Sequence, residues 1–150
     1  MDLILWRHAE ADEAQGAVPD IERALTERGL ANAEKMAKWL KHQHMKNVKV
    51  LCGPSKRTRQ TAETLGLPVK MKTQLGIGAH AADLIGAAEW PDHSGAVILV
   101  SHQPALGRLA SLLLSGTEAD WTIKKGGIWW FSNRVRADET QTVLRAVCNP

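Results

Sequence analysis

Arg7 and His8 stand side by side, a second arginine follows at Arg57 and a second histidine at His102, and each group comes just after an apolar run. Leu3-Ile4-Leu5-Trp6 precedes the first, Val48-Lys49-Val50-Leu51-Cys52 the second and Ala96-Val97-Ile98-Leu99-Val100 the third. Such runs read as buried strands, and in open parallel α/β sheets ligands bind outside the carboxyl ends of the strands. Residues far apart in sequence therefore converge there. Two arginines and two histidines beside a helix N-terminus describe a place for a phosphoryl group, because the planar guanidinium fork matches phosphate oxygens and fixed donors stabilise charge during transfer. A histidine in such a place can attack phosphorus when one ring nitrogen is free and the other is held, typically by a backbone carbonyl.

The elements that position these residues follow from the pattern. Ala9 to Gly16 with Pro19-Asp20 reads as a small, acidic loop across the mouth of the site. Thr26 caps a predicted amphipathic helix over about residues 26–43, with Leu30, Ala33, Ala37 and Leu40 on one face. Gly29 in its first turn costs roughly 1 kcal/mol against alanine, which points to a close packing partner. The basic end of this helix, Lys38 to Lys46, reads as a solvated face that complements the helix dipole.

Pro54 suits the first position of a second helix running to about Leu65 and stopped by Gly66 and Pro68. Arg57 then lies in its first turn. Arg57 and Arg59, two residues apart, point to different sides, and Arg57 is the one expected to face the strand ends. Val69 to Met71 reads as a short edge strand and Ala79 to Ala88 as a helix. Pro104 opens a helix that Ser115-Gly116 closes. Ile128 to Phe131 and Thr142 to Cys148 read as an antiparallel hairpin with a polar turn around Asn133 to Glu139. The resulting fold class is a three-layer α/β/α sandwich with a mostly parallel sheet and that hairpin at its end, in a single domain over residues 1–150.

Composition narrows the function. The 150 residues are 44% hydrophobic and 23% charged, which suits a globular protein with its own core. A net charge of +3 without a basic run argues against nucleic-acid binding, and an anionic substrate fits. Cys52 and Cys148 read as reduced thiols of a cytoplasmic protein. Neither a signal-peptide core nor a transmembrane run is expected, and the chain is expected to be monomeric. His42-x-His44 lacks the further ligands a metal site needs, and Gly53 to Thr58 does not fit a P-loop.

The chemistry-bearing segments also resemble a known family. Arg7-His8-Ala9 is similar to the Arg-His-Gly/Ala signature of the histidine phosphatase (phosphoglycerate-mutase-like) superfamily. Arg23 to Gly29 resembles its Leu-Thr-x-x-Gly box, Gly53 to Ala62 its Ser-Pro-x-x-Arg-Ala-x-Gln-Thr-Ala segment, and Val100-Ser101-His102 its second-histidine strand. The short chain and the Arg-His-Ala-x-Ala opening are similar to the SixA-type phosphohistidine phosphatases within it. The resemblance implies that His8 is the nucleophile and that Arg7, Arg57 and His102 hold the phosphoryl oxygens. Arg23 joins them as a candidate for substrate binding. It implies neither metal nor cofactor, and a histidine-phosphorylated protein as substrate.

Two departures bear on function. Gly53 replaces the usual serine and removes one hydroxyl. The Glu or Asp general acid that phosphomonoesterases of the family carry after the third strand has no counterpart in Gln74 to His80. A phosphohistidine imidazole leaves more readily than an alkoxide, so general-acid help worth roughly 10² to 10⁴ in rate is less needed. Two alternatives stay open: a small-molecule phosphatase using Asp83 or His80 as acid, and a phosphoprotein-binding module without turnover.

Overall fold

The apolar runs become the centre of one six-stranded sheet in a computed structural model that describes all residues 1–150. Its strands are β1 (Asp2–Arg7), β2 (Val48–Cys52), β3 (Val69–Met71), β4 (Ala96–Ser101), β5 (Ile128–Arg136) and β6 (Glu139–Cys148). Four helices accompany them: α1 (Glu27–Lys41), α2 (Lys56–Glu63), α3 (Ala81–Ala88) and α4 (Ala105–Ser115). The strand order is β3-β2-β4-β1-β5-β6, with β3, β2, β4 and β1 parallel and β5 and β6 antiparallel. Every residue of β4 is buried, as a strand covered on both faces requires.

Successive strand residues point to opposite faces, so each strand feeds two cores. Ile4 and Trp6 pack with Ala33, Met36, Ala37 and Leu40 of α1 and with Ala62 of α2. Leu3 and Leu5 pack on the other face with Leu84 of α3 and with Leu106 and Leu109 of α4. Two helical layers therefore enclose the sheet. No helix is long and apolar enough to cross a membrane.

Register positions the site. Arg7 lies opposite Ser101 and Cys52 opposite Val100, so His8, His102 and Gly53 all leave the sheet along one edge. The predicted close partner of Gly29 is the Glu10 backbone, since a Cβ at Gly29 would stand 2.0 Å from the Glu10 carbonyl oxygen. That contact fixes the loop after β1 against the start of α1. Thr26 caps α1, accepting a hydrogen bond from the Gly29 amide at 2.9 Å.

Several boundaries differ from expectation. Pro54 does not take the first position of α2: Ser55 is the cap, and the helix begins at Lys56 and ends at Glu63. A serine hydroxyl that accepts from the Thr58 amide outcompetes the proline preference. Helix α3 begins at Ala81, because the Asp83 carboxylate accepts from the His80 amide and sets the cap there. The hairpin strands run further than predicted, meeting in a two-residue turn at Ala137-Asp138 with φ of 52° and 64°. Residues beyond Phe131 form a mostly solvated ribbon, where no buried face imposes the apolar alternation that reveals a strand. Trp129 and Trp130 face opposite sides of the sheet: Trp130 meets Trp39 edge-on, and Trp129 stacks on Phe131. Cys52 and Cys148 are both free thiols.

Candidate active site

His8 follows the last residue of β1, and His102 follows the last residue of β4. The adjacent parallel strands bring the two rings to a centroid separation of 5.2 Å. His8 is 8% exposed and His102 5%. The His8 Nδ1–H donates to the Ala9 carbonyl oxygen at 2.8 Å; a carbonyl only accepts, so the proton sits on Nδ1 and Nε2 keeps its lone pair. The loop that holds His8 is itself tied down. The Ala9 amide donates to Thr61 Oγ1 of α2, and the Gly126 amide donates to the Arg7 and His8 carbonyls.

The arginines flank these rings. Arg7 donates through Nη1 to the Ile123 carbonyl at 2.9 Å, which fixes the direction of its guanidinium. Arg57, on the first turn of α2, is 4% exposed, whereas Arg59 lies on the solvent side of the same helix. The Nε atoms of Arg7 and Arg57 are both buried without a protein partner. A buried cationic donor left unpaired costs free energy, and an anion among these groups would recover it.

Burial is the main cause that lowers His8 to about 3 and His102 to about 4, and the charges of Arg57 and Arg7 add to it at both rings. Burial lowers the Arg7 guanidinium as well. Both histidines are therefore neutral at pH 7, the state in which an imidazole nitrogen can act as nucleophile. This has a consequence for stability. Below the ordinary histidine value of 6.5 the unfolded chain takes up protons that the folded chain refuses, so stability falls as the pH drops from 6.5 towards 4. Between pH 7 and 5 each histidine should contribute a loss of up to about 2 kcal/mol. Denaturant unfolding at both pH values is the check. The His8→Gln/His102→Gln variant should lose clearly less stability on acidification than the parent.

Ser55 is a site residue that the sequence pattern does not single out. It is fully buried, and its Oγ lies 3.3 Å from His102 Nε2 and 2.9 Å from Thr58 Oγ1. Its signal was legible as a serine three residues before a threonine at a helix start. Gly53 has a packing reason: a Cβ there would stand 2.4 Å from the Leu75 carbonyl oxygen. Asp20 was also missed. Its backbone carbonyl accepts from Arg57 Nη1 at 2.8 Å, and its carboxylate accepts from Arg57 Nη2 at 3.1 Å and from Arg23 Nε at 2.9 Å.

The remaining candidates separate. Arg23 is held by Asp20 and by the Asp12 carbonyl, and its charge reaches His102. Asp83 is engaged in capping α3, and His80 is exposed at that cap. The charges acting on His8 are those of His102, Arg57 and Arg7, and those acting on His102 are Arg57, Asp20, Arg7 and Arg23; Asp83 and His80 act on neither ring. Beside the site runs an open groove of about 770 Å³ lined by Glu10, Asp12, Glu22, Arg23, Arg28 and Lys125, among others. Nowhere do three His, Cys, Asp or Glu side chains gather as metal ligands would.

Known proteins share this arrangement of elements. Residues 3–76 match the histidine phosphatase superfamily (branch 1). The chain is 32% identical over 126 residues to the phosphohistidine phosphatase SixA of Escherichia coli (strain K12), covering 77% of this chain and 76% of that protein. Its structure is similar to that of the protein histidine phosphatase SixA complexed with tungstate, with a TM-score of 0.78, 25% identity, and coverage of 99% of this chain and 97% of the other. A phosphoserine phosphatase from Entamoeba histolytica in complex with 3-phosphoglyceric acid shares the fold at 18% identity, with a TM-score of 0.68 and coverage of 99% and 96%.

Proposed function

This chain belongs to the histidine phosphatase superfamily, and from that premise we propose that it removes the phosphoryl group from phosphohistidine in a protein, through a covalent phosphohistidine at His8. The observation that carries the reading is the His8 ring: neutral, held at Nδ1 by its own neighbour's carbonyl, with no protein partner at Nε2, within the field of two arginines and beside a second histidine. In the first step His8 Nε2 forms a bond to phosphorus as the phosphorus–nitrogen bond of the substrate breaks, and the substrate imidazole, whose other ring nitrogen already carries a proton, departs neutral. In the second, water attacks the phosphorus, the bond to Nε2 breaks, and orthophosphate leaves with His8 restored. Arg7, Arg57 and His102 hold the equatorial oxygens, where charge spreads in transit. The two guanidinium cations supply the electrostatic stabilisation, and the neutral His102 adds a hydrogen bond. Binding of tungstate by the related SixA supports an oxyanion as the natural occupant.

The phosphohistidine preference rests on proton supply. Asp20 is the carboxylate whose charge reaches His102, and it is ionised and shared between two arginines, so it has no proton to give. A site that stabilises the transferring group but protonates nothing ranks substrates by leaving-group basicity. Accordingly, kcat/KM should be highest for a phosphohistidine peptide, intermediate for an aryl phosphate and lower by orders of magnitude for an alkyl phosphate. A flat ranking, or a loss confined to alkyl esters when Asp83 or His80 is replaced by alanine, would replace this reading with a phosphomonoesterase that has a general acid.

A further inference from the structure

Arg57 is not simply free to meet a substrate. A guanidinium has two usable edges, the outer one made by Nη1 and Nη2 and the side one made by Nε and Nη2. Asp20 occupies the outer edge, its backbone carbonyl taking the Nη1 hydrogen and Oδ2 taking one from Nη2. The side edge has no protein partner at Nε, which is buried. The other carboxylate oxygen, Oδ1, takes the Arg23 Nε hydrogen. One carboxylate therefore links two cations from different segments, Arg57 on α2 and Arg23 just before α1.

We propose that Asp20 is a positioning residue of this site, holding the outer edge of Arg57, and Arg23 with it, so that the side edge of Arg57 is turned to the phosphoryl group. The inference rests on the phosphoryl-binding reading of the site and adds to it. Without the carboxylate, two like charges lose their shared counter-ion, and Arg57 regains the rotamer freedom that binding must then remove. Asp20 itself is well placed to be this counter-ion. Its side chain is 51% exposed, whereas that of Arg57 is 5% exposed, so the acid closes the outer side of a buried arginine. Burial pushes the Asp20 carboxyl up, but hydrogen bonds from Arg57 and Arg23 outweigh it and hold the group below its ordinary value.

The same contacts admit an opposite role, in which Asp20 is an internal anion that competes with substrate for Arg57. Orthophosphate binding separates the two, because positioning predicts weaker binding on removal of the acid and competition predicts tighter binding. For Asp20→Ala we expect the orthophosphate Kd and the KM to rise and kcat/KM for a phosphohistidine peptide to fall by about 10- to 100-fold, the order that small misplacements of a positioning group produce. Asp20→Asn, which keeps the backbone carbonyl and a neutral acceptor, should lie between it and the parent. Glu27→Gln, an exposed change at the start of α1 outside the groove, should match the parent.

The decisive comparison is made in an Arg57→Ala background, where Asp20→Ala should have no further effect on kcat/KM. A purely structural role would instead show as a lowered melting temperature with an undiminished effect in that background. Unchanged or tighter orthophosphate binding by Asp20→Ala and Asp20→Asn, or full additivity with Arg57→Ala, would overturn the proposal. A parent protein that binds neither orthophosphate nor tungstate would instead overturn the phosphoryl-site reading beneath it.

Discussion

His8→Ala should fold as the parent does and lose phosphatase turnover by on the order of 10⁵-fold, the scale on which removing a nucleophile disables a covalent mechanism. The fold should survive because the His8 side chain makes its polar bond only to its own neighbour, the Ala9 carbonyl, while the backbone bonds of His8, the sheet register and both cores do not depend on the ring. Steady-state kinetics paired with thermal unfolding is the check, and substantial activity in a folded His8→Ala protein would rule out attack by His8. The arginines and His102 left behind stabilise charge, but they offer phosphorus no replacement nucleophile in the position of Nε2.

The second large effect separates two arginines on one helix. Arg57→Ala should reduce kcat/KM by about 10³-fold, the upper part of the range for losing one transition-state donor, while Arg59→Ala should change it by less than about twofold. Arg57 is buried at the strand ends beside His102, whereas Arg59 is solvent-exposed. Arg57→Lys should recover little, because an ammonium restores the charge without the two edges, one for Asp20 and one for the phosphoryl group. Equal losses at positions 57 and 59 would show that the wrong face of α2 had been assigned to the site.

Much of this arrangement was legible in residue order. Strands β1, β2 and β4 are buried on both faces, so their continuous apolar runs announced them, and the polar residues directly after them marked the carboxyl edge where the sheet places ligands. Gly29 announced a close contact through its cost, and the Glu10 carbonyl proved to be the contact. What escaped was of two kinds. The length of the β5–β6 ribbon was hidden because a ribbon solvated on both faces carries no alternation. Asp20 and Ser55 were hidden because their partners, Arg57 and His102, come from other segments of the chain, and no local pattern ties an acid in a surface turn to a helix that begins after the second strand. The same is true of Asp83: a carboxylate near the site in sequence could be read as an acid, and only its hydrogen bond to the His80 amide shows that it is a cap.

A covalent mechanism requires that His8 become phosphorylated during turnover. The most direct measurement mixes the protein with a phosphohistidine peptide, quenches the reaction within a single turnover under alkaline conditions that preserve phosphorus–nitrogen bonds, and locates the phosphoryl group by mass spectrometry. The predicted result is a phosphorylated peptide bearing the group on His8, formed and consumed at rates consistent with turnover and absent from His8→Ala. Turnover without any such species, or a phosphoryl group carried by His102 in its place, would contradict the account.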